Sequence, residues 1–269
     1  MTLAVVGLNQ KSQICDFVTA RQTLAEYRRY LGGPDFAFAE RVYGQNPKMY
    51  RSRLQAIGFE GLTHVLDAGC GFGQWSLLLA ELNGHLSACD ISGERLIIAA
   101  NICRKIGVTN CEFGNGPLNS LPYDSGVFDG LFCYGVIHAT PWKESLRQCA
   151  RVLKPGGRLY VTANGLGWYL HCWKNEPHRR DNYDPRLASA QSLVSTVQYE
   201  RSGWFDANGL GLIIDQNEML EQLRQIGFQI IGHGNEGSIN VTGIAAAESF
   251  FRGEYEGHAG VFEVLAVKE

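Results

Sequence analysis

No stretch of this 269-residue chain approaches the roughly 20 consecutive apolar residues that span a bilayer. Its first residues lack the charged head, apolar core and cleavage site of a secretory signal. A membrane span is therefore not expected, and a cytoplasmic location is. No long Lys/Arg run stands out, and 24 basic against 27 acidic residues leave a formal net charge of -3, which gives no general attraction to nucleic acid. The eight cysteines contain no Cys-x-x-Cys pair, and several fall inside apolar strand-like runs. They read as reduced core thiols, so neither a disulfide framework nor a metal site is expected. What is present, 45% hydrophobic and 19% charged residues, suffices for one large core with appendages.

The most informative stretch is Val65-Leu-Asp-Ala-Gly-Cys-Gly-Phe-Gly73, an apolar run into an acid and then three glycines at alternate positions. It reads as a buried strand ending in a turn with little side-chain bulk, followed by a helix from Gln74 to Leu82. Backbone can thus approach a ligand at the strand's carboxyl end. A dinucleotide fingerprint needs a glycine at the sixth position, where Gln74 or Ser76 stands here depending on the starting glycine. Asp67, two residues before Gly69, is placed to meet a cationic group, so the implied ligand is compact and carries an ammonium.

Asp67-Ala-Gly69-Cys-Gly71-Phe-Gly73 resembles the first motif of the class I S-adenosylmethionine (SAM) dependent methyltransferases, in their small-molecule branch (UbiE-like, methyltransferase type 11). Four further landmarks follow in family order. The strand His85 to Asp90 ends in an acid to which the resemblance gives the ribose hydroxyls, with Ile91 on the adenine face; the alternative is that Asp90 N-caps the next helix. Cys111 to Gly116 resembles the third strand, after which the family's adenine-binding Asp is replaced by Asn115, beside Gly116. An amide oxygen can still accept that bond, and a simple Gly-Asn-Gly turn is the alternative. The run Val127 to His138 resembles the fourth strand, placing Tyr134 near the methyl group and His138 first among titratable groups. Leu146 to Leu153, then Lys154-Pro-Gly-Gly157 and a strand Arg158 to Thr162, reads as a helix stop before the fifth strand.

The resemblance implies an α/β, Rossmann-like, seven-stranded mixed sheet of order 3-2-1-4-5-7-6, closed by Phe228 to His233 and Val261 to Val267. The expected organisation is an N-terminal helical cap (1–60), a SAM-binding core (61–163), a substrate lid inserted after the fifth strand (164–210), and the C-terminal part of the core (211–269). In the cap, Gln13 to Tyr30 and Asn46 to Ile57 show helical periodicity. Tyr43 is the candidate to reach the cofactor and Tyr50 the candidate on the acceptor side, with plain packing as the alternative for both.

The lid concentrates Trp168, Tyr169 and Trp173, aromatic faces suited to planar or cationic acceptors, with a helix expected between Pro185 and Val197. Its His178-Arg179-Arg180 cluster could hold a carboxylate or phosphate, or form an exposed turn paired to Asp181 and Asp184. His171 is a second candidate base beside His138. The long segment Gly234 to Gly260 is left open between the acceptor pocket and a homodimer contact.

The function implied is methyl transfer from SAM to an oxygen or nitrogen of a small metabolite, by in-line displacement with positioning and a His general base. The alternatives are a methyltransferase acting on a protein or a tRNA, aminopropyl transfer on the same fold, and a SAM-binding protein without turnover.

Overall fold

The computed structural model describes residues 16–177, 179–181, 183–206, 211–244 and 247–269. Strands buried on both faces are written as continuous apolar runs, and four such runs build the parallel centre: β1 (His64–Ala68), β2 (His85–Asp90), β4 (Phe128–Cys133) and the longer β5 (Leu153–Asn164). β3 (Cys111–Asn115) lies at the edge beside β2. Two C-terminal strands, β6 (Phe228–Asn235) and β9 (Val261–Lys268), complete one seven-stranded mixed sheet, β9 running antiparallel to both β5 and β6. The order is β3-β2-β1-β4-β5-β9-β6. This is the expected order. The seventh place falls to β9 because two short strands, β7 (Glu254–Tyr255) and β8 (His258–Ala259), form a separate hairpin first.

Helices cover both faces. On one face α1 (Phe17–Glu26), α2 (Gly33–Tyr43), α3 (Pro47–Ala56), α4 (Gln74–Leu82) and α5 (Gly93–Ile106) enclose a core that includes Phe17, Tyr43, Tyr50, Trp75, Phe132 and Tyr160. On the other, α6 (Trp142–Val152) and α9 (Gln216–Gln225) pack Trp142, Leu146 and Met219 against Leu131, Val161 and Phe228. Between them in sequence come α7 (Leu166–Asn175) and α8 (Pro185–Ser202). No helix among the described residues is long and apolar enough to cross a membrane, and the seven described cysteines are all free thiols.

The structure corrects several boundaries. The first helix starts at Phe17 because Asp16 caps it, accepting from the Val18 and Thr19 amides at 3.0 Å, and it ends at Glu26, short of Tyr30. α2 and α7 were not expected. α2 opens on Gly33-Pro34, and Pro in the first turn of a helix costs nothing, since its missing N–H would lack a partner there. In α7 the aromatic run Trp168 to Trp173 hides the helical period, although Tyr169 and Cys172 face inward at its spacing. β5 begins at Leu153 because Leu153 pairs with Phe128 and a register shift then absorbs Lys154-Pro-Gly-Gly157 into the ladder.

Candidate functional site

The turn after β1 is built by backbone conformations that side chains resist. Gly69, Gly71 and Gly73 have φ of 83°, 55° and 85°, the left-handed region that glycine enters without penalty. A Cβ on Gly69 would lie 2.5 Å from Val136 Cγ2, whereas one on Gly71 would meet nothing within 4 Å. Gly69 is therefore constrained by the protein behind the turn, and Gly71 faces open space in front of it.

Asp90, at the end of β2, grips this turn. One carboxylate oxygen accepts the Gly71 amide at 2.9 Å and the other the Ser92 amide at 2.9 Å, leaving further lone pairs on both oxygens for a diol. The capping alternative fails, because Ser92 itself caps α5 through the Arg95 amide. Ile91 beside it is 71% exposed. Asn115 donates to the carbonyls of Asp90 and Ile91, both at 3.0 Å, and its amide oxygen stays available as an acceptor. The Gly116 amide donates to the Asp90 carbonyl at 3.1 Å. Strand ends β1, β2 and β3 thus bring Gly69, Gly71, Gly73, Asp90, Ile91, Asn115 and Gly116 together.

Asp67 lies below the turn rather than at its surface. It is buried and accepts the Ser76 hydroxyl at 2.6 Å. Burial pushes its carboxyl up to about 7, against the opposing effect of the Ser76 hydrogen bond and with a further push from the nearby Asp90 charge.

Each of the two cap tyrosines donates to a backbone carbonyl. Tyr43 is buried and donates its hydroxyl to the Phe72 carbonyl at 2.7 Å, so it supports the turn from behind. Tyr50 donates to the Val42 carbonyl at 2.8 Å and packs among Phe17, Trp75 and Phe250, with burial raising its phenol well above the usual range.

Tyr134, just past β4, is half-buried between Trp75 and Phe250 and donates to Glu236 Oε1 at 3.0 Å. That contact opens onto a buried ionic network absent from the sequence reading. Arg53 Nη1 reaches Glu236 at 2.5 Å, Tyr160 Oη at 3.2 Å and Glu263 at 3.3 Å, while Nη2 reaches the Glu248 carbonyl at 2.6 Å. The amides of Phe250 and Ile239 complete the two carboxylates. One signal was available: Glu263 interrupts the apolar run Val261-Phe-Glu-Val-Leu265, and a charge inside a buried strand needs a partner.

His138 sits in a one-turn 3-10 helix, Ile137–Ala139, past the end of β4. The segment after α8 packs against it: the Leu212 amide donates to the His138 carbonyl at 2.7 Å, and Tyr169 of α7 donates to the Leu212 carbonyl at 3.0 Å. Burial lowers the imidazole to about 4, so the ring is neutral at pH 7. Its Nδ1 is buried without a hydrogen-bond partner among the described residues. Such an atom costs stability unless a ligand or water satisfies it.

His171 has different company. It stacks on Tyr255 with ring centroids 4.2 Å apart, pairs through Nδ1 with the Asn175 amide, and faces Trp168. Burial and then the Arg252 charge lower its pKa. Tyr169 points into the core, away from the Trp168 face of α7, and Trp173 is largely exposed. Arg179 is held by Glu176 and Asp184, the exposed-turn alternative with Glu176 in place of Asp181; His178 lies outside the described residues. Of the four residues Trp168, Tyr169, His171 and Trp173, Tyr169 meets the Gly211 to Leu212 segment that also contacts His138, while Trp168 and His171 pack on Tyr255 and Trp173 is exposed.

Residues 65–157 match the methyltransferase domain family. A demethylmenaquinone methyltransferase from Listeria welshimeri is 33% identical over 116 residues, 42% of this chain and 49% of its own length. One from Clavibacter sepedonicus is 29% identical over 194 residues, 71% of this chain and 76% of its own. At the higher identity the chain spans about half the length of the curated relatives it matches. Among solved structures, the geranyl diphosphate C-methyltransferase of Streptomyces coelicolor with S-adenosyl-L-homocysteine superposes with a TM-score of 0.58 over 82% of this chain and 79% of that one, at 14% identity. That likeness speaks to the fold.

Proposed function

We propose, from the premise that this chain belongs to the class I SAM-dependent methyltransferases and takes SAM as its cofactor, that it methylates an oxygen or nitrogen of a small metabolite. SAM supplies, when bound, a methyl group made electrophilic by a positively charged sulfur. The turn at Gly69 to Gly73 fits such a ligand: Gly71 leaves the space a Cβ would fill, and Asp90 retains lone pairs for the ribose. Ile91 offers an apolar face and Asn115 an acceptor for the adenine.

The observation that carries the small-molecule reading is the orphaned Nδ1 of His138, buried under the segment that Tyr169 and Leu212 tie down. A neutral imidazole there can accept a proton from an acceptor's hydroxyl or ammonium, worth on the order of 10²- to 10⁴-fold in rate. α7 and α8 act as the lid that excludes water, so that the main task left to the protein is to position the acceptor. The formal charge of -3 gives a polyanionic substrate no help.

The test has two steps. Calorimetric titration with SAM, S-adenosylhomocysteine and NAD, repeated on Asp90→Ala, is expected to show binding of the first two only, weakened by the substitution. Methyl-labelled SAM is then incubated with a metabolite extract, total protein and tRNA in parallel. Label in a small molecule supports the reading; label confined to protein or tRNA overturns it, and NAD binding overturns the cofactor.

A further inference from the structure

At the amino edge of the sheet, opposite the glycine turn, three adjacent strands bring two imidazoles and a carboxylate together. His64 is in register with His85 across β1 and β2, and Ser87 with Glu112 across β2 and β3. Side chains alternate along a strand, so His64, His85, Ser87 and Glu112 share one face. One potential ligand atom from each of His64, His85 and Glu112 lies within 4.8 Å of the other two. His85 Nε2 is 3.7 Å from Glu112 Oε1, and the two imidazole centroids are 4.8 Å apart.

A tetrahedral zinc ion, bound at about 2.0–2.2 Å, holds its ligand atoms roughly 3.3–3.5 Å apart. The three groups are within side-chain adjustment of that spacing, and His85 and Glu112 are exposed enough to make it. The backbone need not move, because the parallel register fixes it. Ser87 donates to Glu112 Oε1 at 2.7 Å and meets His64 Nε2 at 2.9 Å, which orients the carboxylate in the manner of an outer-shell partner. The nearby Lys154 is neutralised by Asp129 at 2.8 Å.

We propose that His64, His85 and Glu112 form a binding site for one zinc-class divalent cation, completed by water, that ties β1, β2 and β3 together at the edge remote from the glycine turn. Two nitrogens and one carboxylate suit zinc rather than magnesium or calcium, which favour all-oxygen shells. The site is structural in position, on the far side of the sheet's length from Asp90 and His138.

The experiment uses tag-free protein stripped with a chelator, then dialysed against micromolar Zn²⁺, with Co²⁺ as a spectroscopic probe. One Zn²⁺ per chain is expected, with a rise in melting temperature and a visible Co²⁺ absorption band. Both should vanish in His85→Ala and in Glu112→Gln, weaken about tenfold in Ser87→Ala, and persist in His233→Ala. Circular dichroism confirms that each variant is folded. Absence of stoichiometric binding, equal binding of Mg²⁺, or affinity unchanged in both ligand variants overturns the proposal.

Discussion

Tyr43 and Phe72 meet through a 2.7 Å hydrogen bond from the phenol to the backbone carbonyl, so a helix that precedes the sheet holds the tip of the glycine turn. Both residues are buried. Tyr43→Phe leaves that carbonyl short of a partner at a cost of about 1–3 kcal/mol. Urea denaturation is expected to show the loss, and calorimetry a weaker SAM affinity from a turn less firmly held.

Gly69 and Gly71 should respond differently to alanine. At Gly69 the new Cβ meets Val136 at 2.5 Å in a left-handed conformation, so Gly69→Ala should lower stability by more than about 2 kcal/mol. Gly71→Ala, with φ of 55° and open space ahead, should cost only about 1 kcal/mol yet lose cofactor affinity. Unchanged cofactor affinity in Gly71→Ala would show that Gly71 does not face a ligand.

Asp67 makes stability depend on pH. Its folded pKa, raised to about 7 by burial, lies above the ordinary value near 3.9. Below about 4 both folded and unfolded states hold the proton and there is no penalty. As pH rises from about 4 to about 7 the unfolded state ionises first, and stability falls; above that the penalty is constant. The advantage of Asp67→Asn over the unsubstituted protein should therefore grow across that window and then level off, as read by denaturation at stepped pH.

Among the described residues, Arg53 is the one cation of a buried network containing Glu236 and Glu263. Arg53→Met strands both carboxylates, a change that costs about 3–5 kcal/mol. Arg53→Lys restores a charge but cannot reach both the carboxylates and the Glu248 carbonyl, which the forked guanidinium serves with separate nitrogens. The expected order of stability is Arg, then Lys, then Met.

His138, lowered to about 4 by burial, keeps its basic form across pH 5 to 8. If it accepts the proton, kcat/KM should fall only as pH drops toward 4, and His138→Ala should lower it by about 10²- to 10⁴-fold with SAM affinity unchanged. An acidic limb near 6.5 that disappears in the variant would contradict the pKa, and an unchanged kcat/KM would contradict the role.

Local signals made much of this architecture legible. Glycines at alternate positions after an apolar run have few uses, and Asp90 ends a strand at a length that leaves one helix between. β2 and α4 have the bounds their apolar runs suggest. Where the signal depended on what an element packs against, reading failed. The acceptors that take the Tyr43 and Tyr50 hydroxyls, the Phe72 and Val42 carbonyls, are not displayed by the sequence. Trp168 and Trp173 both lie on α7, a helix that was not recognised in the sequence.

The sequence alone determined the glycine turn and the acids beside it, since each rests on the chemistry of neighbouring residues, and its resemblance to the methyltransferase family implied the strand order. Tertiary structure alone decided what His64, Arg53 and His138 face. Arg53 meets Glu236 and Glu263 across most of the chain's length, and His64 meets Glu112 across two strand crossovers. Charge and coordination depend on distance in space, which chain position does not encode until the sheet has set its register.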